Sequence, residues 1–174
     1  IATSVVQSKL DYCNSLYLNL PAHCINKLQV IQNNIARAIT SKRKFEHISP
    51  TLHSWLKIKE RINYKIISLT YSAQQSGKPN YLRDLITLQS TRSTRSGALV
   101  TLSRPPASKL KISKRSFYCM APVLLNSLPA HLHQPAPVAP PSSDNSGQNN
   151  TLALSRNKFM SQLKTCLFKF SHPP

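Results

Sequence analysis

Residues 9–40 read KLDYCNSLYLNLPAHCINKLQVIQNNIARAIT. Leu20-Pro21 divides this stretch. Proline has no amide hydrogen and cannot continue the preceding helix, but it fits the start of a new one. Downstream of it, Ile25, Leu28, Ile31, Ile35, Ala38 and Ile39 recur at steps of three and four. That spacing predicts an amphipathic helix over residues 22–39. Its other face is amide-rich: Asn26, Lys27, Gln29, Gln32, Asn33, Asn34 and Arg37. Upstream, Val5, Val6, Leu10, Cys13, Leu16 and Tyr17 can share one face of a helix that Pro21 ends. The two halves make a helical hairpin. A lone helix of this length is marginal in water, so its stripe needs a partner.

Working outward, the same pattern recurs twice. Ile58, Ile62, Ile66, Leu69 and Ala73 predict a helix over residues 57–75, closed by Gly77 and Pro79. Phe159, Leu163, Cys166, Leu167 and Phe170 predict another over 155–170, with Ser155 as its cap. Shorter helical pieces are expected at 49–56, opened by Ser49-Pro50 above the single tryptophan, Trp55, at 81–86, and at 116–128 before Pro129. Residues 87–115 lose the helical period. Weak alternation there predicts extended segments and a small hairpin at Pro105-Pro106. Residues 131–150 are rich in Pro, Ser, Asn and Gln, and read as a disordered insert. The expected fold is mostly α, a small helical assembly with irregular basic segments. It has a helical region at 1–86, a basic extended and short-helix region at 87–130, a linker at 131–151 and a C-terminal amphipathic helix at 152–174.

Charge bounds the function. The chain has 23 Lys+Arg against 5 Asp+Glu in 174 residues, a formal net charge of +18. So large an imbalance repels itself unless a polyanion is near. Nucleic acid is the expected polyanion, met through its phosphate backbone, with an anionic membrane surface as the second reading and basic drift in a sequence under weak selection as the third. The candidate contacts are Lys42, Arg43, Lys44, Lys57, Lys59, Arg61, Arg92, Arg95, Lys109, Lys111, Lys114 and Arg115. Four of the helix-57–75 cations crowd its first turns, where they oppose the macrodipole, and an anion bound there would relieve this. No apolar run approaches a membrane span, and no membrane partner is expected.

Catalysis finds no foothold. Asp11, Glu46, Glu60, Asp84 and Asp144 are isolated, so no carboxylate pair is available for a two-metal centre. Three glycines, at 77, 97 and 147, make no phosphate loop. His23-Cys24 and His131-x-His133 are the closest ligand-type groups, and neither has zinc-site spacing. Cys13, Cys24, Cys119 and Cys166 are scattered, which predicts reduced thiols rather than a disulfide framework. The expectation is no enzyme in this chain alone, no cofactor, no metal and no catalytic residue.

The order of short motifs carries a resemblance. KLDYCNSL is followed by Leu20-Pro21, KLQVIQNN and Ala36-Arg37. Next come His47-Ile48-Ser49-Pro50, Arg61-Ile62 with Tyr64-Lys65-Ile66, and Pro79-x-Tyr81-Leu82-x-Asp84-Leu85. Arg92-Ser93, Arg95-Ser96, Arg115-x-Phe117, Ala121-Pro122 and Asn126-Ser127-Leu128-Pro129 continue the series, closed by Phe159, Leu163-Lys164-Thr165 and Leu167-Phe168. The sequence resembles the C-terminal segment, downstream of the polymerase domain, of jockey-like non-LTR retrotransposon (LINE) reverse transcriptases. It departs from that family at Lys57, where a proline is expected, at Leu125, where an aromatic is expected, and in a longer insert at 133–151. The resemblance implies a non-catalytic fragment of a target-primed reverse transcription machine, holding template RNA or target DNA beside an upstream reverse transcriptase domain. It implies an intracellular setting, cytoplasmic or nuclear. Two alternatives stay open. One is a helical interaction module docking on the polymerase domain through Ile25, Leu28, Ile31 and Ile35. The other is a non-functional transposon relic. Opening on Ile1 in the middle of an apolar pattern, the chain reads as part of something longer.

Overall fold

The computed structural model describes residues 2–43, 45–52, 54–89, 99–106, 109–110, 113–135 and 152–171. Among these the protein is mostly helical. Its helices are α1 (Ala2–Asp11), α2 (Ala22–Thr40), α3 (Ser49–Leu52), α4 (Ile58–Ser76), α5 (Asn80–Arg83), α6 (Phe117–Asn126) and α7 (Arg156–Ser171), with 3-10 turns at Asn14–Tyr17, Ser113–Arg115 and Ala130–Leu132. The chain divides into two compact units: residues 1–65 with 164–174, and residues 66–163.

In the first unit, the entry into α2 follows from Pro21, which sits at its N-cap. Its exit is a left-handed Ser41 whose amide donates back to the Arg37 carbonyl, so a residue other than glycine closes this helix. Two expectations fail here. First, α1 stops at Asp11 instead of running to Tyr17. Cys13 adopts φ 51° and turns the chain into the 3-10 turn. The stripe drawn through Val5, Val6, Cys13 and Leu16 is accordingly exposed, and Leu10 and Leu18 are the buried pair.

Second, the buried side of α2 is not its aliphatic stripe alone. Gln32 and Ala36 are fully buried beside Ile35, whereas Ile31, Ala38 and Ile39 are exposed. The reason is a hydrogen-bond demand from the segment entering α4. Gln32 Nε2 donates to the Leu56 carbonyl at 3.0 Å. The amide of Ile58, the first residue of α4, donates to Gln29 Oε1 at 3.0 Å. Gln29 Nε2 in turn donates to Gln32 Oε1 at 3.0 Å and to Asn33 Oδ1 at 2.9 Å. The first amides of a helix have no partner within it. Here the amide face of α2 supplies one, and a buried glutamine is tolerated because its bonds are made.

α4 follows its predicted period except at Leu69, which is half-buried. Ile58, Ile62, Ile66 and Ala73 are buried, and so are Ile67, Thr70 and Tyr71. Gly77, at φ +64°, ends it. α7 likewise buries Phe159, Leu163 and Leu167, but Phe170 is exposed. Burial pushes the Cys166 thiol above its ordinary range, against a partial pull from Lys169. A thiol held protonated is a poor nucleophile.

In the second unit, Tyr71 stacks on Phe159 with ring centroids 4.1 Å apart. The Tyr71 hydroxyl donates to the Leu154 carbonyl, and Gln75 Nε2 donates to the Leu152 carbonyl at 2.7 Å. The antiparallel pairing lies upstream of the expected hairpin at Pro105-Pro106. Gln89 donates to Thr101 and Ser103 to Thr87, around a Leu88–Leu102 bridge. A proline brings no amide to a ladder, although Pro135 stands in a second antiparallel bridge, with Leu152. Asn126 extends the pairing from α6, accepting from the Leu102 amide at 3.0 Å and donating to its carbonyl at 2.8 Å.

Residues 131–135, expected in the linker, are also built into this unit. Leu132 and His133 are buried. The two His133 ring nitrogens each lie 3.1 Å from a carbonyl, of Val100 and of Leu128. The rest of the expected insert, residues 136–151, lies outside the described residues.

Candidate nucleic-acid interface

Charge divides evenly between the units. The first holds twelve Lys+Arg and three Asp+Glu, a formal +9; the second holds eleven and two, again +9. Of the twelve candidate cations, Lys44, Arg92, Arg95 and Lys111 lie outside the described residues. Lys109, Lys114 and Arg115 belong to the second unit, with Lys109 and Lys114 exposed. Lys42, Arg43, Lys57, Lys59 and Arg61 belong to the first.

Within the first unit four of these five have surroundings of their own. Lys42 follows the C-terminus of α2 at Thr40, which lies about 12 Å of helical rise past the Gln32 that meets Leu56. Its ammonium donates to the His47 carbonyl at 3.3 Å. Lys57 donates to the Ser171 carbonyl at 2.7 Å, placing a cation on the C-terminal end of α7. That end carries partial negative charge, so this lysine has a structural use there. Lys59 lines a cavity of about 310 Å³ with Tyr17 and Asn26.

Arg61 is held by Asp11. Its Nε lies 2.9 Å from Oδ1, and Nη2 bonds Oδ2. Such a two-point pair fixes the guanidinium plane. With the Gln7 amide oxygen turned toward it, that oxygen accepts from Nη2 at 2.6 Å and from Nη1 at 2.8 Å. The guanidinium that the sequence offers to phosphate thus already has a carboxylate.

Arg61 and Asp11 form part of the wall of a larger cavity, of about 640 Å³. Such volumes are typical of small-ligand sites. α4 contributes Arg61, Tyr64 and Lys65, three residues within five positions and therefore on neighbouring turns. Trp55 and Leu56 come from the segment before α4, and Lys164 and Phe168 from α7 at i and i+4. Gln7, Asp11, Asn14 and Ser54 complete the lining. Lys164 Nζ sits 5.8 Å from the Tyr64 ring centroid, within cation–π range. Three cations line this space against one carboxylate, and that carboxylate is paired.

Sequence reasoning named Tyr64 and Trp55 without joining them, and left Lys65 and Lys164 out of the candidate contacts. The close spacing of Arg61, Tyr64 and Lys65 was a usable signal. Lys164 lies 100 positions from Tyr64, and nothing in the sequence pairs them.

Three of the four stripe residues proposed for docking are turned inward: Ile35 is buried, and Ile25 and Leu28 are half-buried, leaving Ile31 exposed. The exposed large aliphatics of this unit are Val5 and Val6 on α1, Leu16 in the 3-10 turn that follows, and Val30, Ile31 and Ile39 on α2. Among the described residues, no group of three His, Cys, Asp or Glu side chains could hold a metal ion, and no helix is long and apolar enough to cross a membrane. Compared with known proteins, the chain matches no family model, no curated protein and no solved structure.

Proposed function

We propose that this chain is a non-catalytic, helical nucleic-acid-binding segment that holds RNA or DNA through phosphate contacts. The observation that carries the reading is the +9 on each unit. Five carboxylates cannot neutralise 23 cations, and the surplus is not confined to a tail that a neutral domain could carry. The motif order that resembles the segment following the polymerase domain of LINE-type reverse transcriptases supports the same role, as part of a reverse transcription machine whose catalytic carboxylates lie elsewhere.

A filter-binding titration across salt concentrations tests it. Neutralising six phosphates of a duplex predicts that log K falls with log salt at a slope of about −5, and at about −4 for a single strand. Binding that is absent, or flat with salt, overturns the reading.

A second reading has its own observation. The exposed Val5, Val6, Val30, Ile31 and Ile39 suit a helical module docking on a neighbouring protein domain. Under that reading, replacing Ile31 and Ile39 by Ser abolishes association with a polymerase domain and leaves the salt-dependent binding of nucleic acid intact.

A further inference from the structure

We propose that the cavity between α4, α7 and the Trp55 segment is a base-binding site, which takes one unpaired nucleotide of a single strand. The inference rests on the nucleic-acid reading above and deepens it, because phosphate contacts alone do not require a cavity.

Three kinds of group meet there. Trp55, Tyr64 and Phe168 supply aromatic surface, and all three are half-buried, so each ring keeps accessible area. Flat rings of this kind are what an unstacked base replaces its neighbours with. Lys65 and Lys164 are exposed cations on the same cavity, suited to the phosphate attached to such a base. Arg61 is neutralised by Asp11, so the charge offered to a phosphate is that of the two lysines.

The third group is Asn14. It lines the cavity, is 6% exposed, and its Oδ1 has no hydrogen-bond partner. A buried acceptor without a donor is costly, and because Oδ1 is closed to solvent in the empty cavity a ligand donor answers it only when the Asn14 amide turns toward the space. Every nucleobase carries an N–H on its pairing edge, whereas an aliphatic ligand or a simple anion carries none. An aromatic wall, two cations and an unanswered acceptor together fit a nucleotide better than a lipid tail, which would waste the lysines. They also fit it better than a free phosphate, which would waste the rings.

Trp55 is the only tryptophan in the chain, so its emission reports on this cavity without labelling. The full chain is titrated with a short DNA single strand and with a strand of equal length in which every base is replaced by abasic deoxyribose. The expected result is that the base-bearing strand binds about tenfold tighter or more. It also quenches Trp55 emission, and the abasic strand does not. Tyr64→Ala removes the tenfold preference and Tyr64→Phe keeps it, with circular dichroism confirming that both remain helical. Equal binding of the two strands with unchanged emission overturns the base site and leaves the phosphate reading standing. If neither strand binds, both fall.

Discussion

The two halves of α4 have the same aliphatic period and different fates. Its last turns bury Ile66, Ile67, Thr70, Tyr71 and Ala73 within the second unit, and Tyr71 stacks on Phe159. Its first turns bury only the Ile58 and Ile62 side and keep Arg61, Tyr64 and Lys65 on an open cavity. Periodicity decides which residues share a face. The residues brought against that face decide whether it becomes core or binding surface. Around the last turns the partners are aromatic and aliphatic. Around the first they are mixed: the amides of α2, Asp11 and Lys164 bring hydrogen bonds and charge, and Trp55 and Phe168 stand beside them on a space left open.

That contrast predicts unequal costs. Phe159→Ala removes a fully buried ring from the second unit and leaves Tyr71 without its stacking partner, and should destabilise the chain by about 3–5 kcal/mol in urea unfolding followed by circular dichroism. A cost below about 1 kcal/mol would mean that the last turns of α4 are not the packed core they resemble. Gln32→Ala cuts the bonds to Leu56 and to Gln29 in the first unit and leaves their groups unanswered. The expected cost is smaller, about 1–3 kcal/mol. If the two variants cost the same, the amide clamp is worth as much as a buried aromatic pair and the contrast collapses.

Helix existence was legible throughout because α2, α4 and α7 repeat aliphatics at helical spacing over sixteen residues or more. Helix ends were less so. The break at Cys13 and the stop at Ser41 use left-handed residues that are not glycine, so neither carries the usual marker. Which face of α2 is buried was misread because amides look solvent-facing when their partners are unknown. Gln32 is buried on account of Leu56, 24 positions away. The same distance problem hid the cavity. Asp11 and Arg61 are 50 positions apart, and their pairing, which decides whether Arg61 is available to phosphate, depends on tertiary structure alone. His133 looked like part of a Pro- and Ser-rich linker, yet two carbonyls face its ring. A neutral imidazole can donate to only one of them.

The smallest expected effect separates the halves by pH. Burial pushes the Tyr71 phenol above its ordinary value, with the Gln75 hydrogen bond and the Arg156 charge pulling it partly back. The neutral phenol is also the form that donates to the Leu154 carbonyl. A group whose folded pKa is raised contributes stability that is fully present below the unfolded value, near pH 10 for tyrosine. That contribution is lost as pH rises through the folded pKa, because the unfolded chain releases its proton first. Tyr71→Phe should therefore be less stable than the native chain at neutral pH, by about 0.5–1.5 kcal/mol for one hydrogen bond. The gap should close above pH 10. Urea unfolding at neutral and alkaline pH measures both. Every other group is common to the two proteins and cancels in the difference, so a gap that stays constant to high pH would show that the Tyr71 hydroxyl is not held as the fold of the second unit places it.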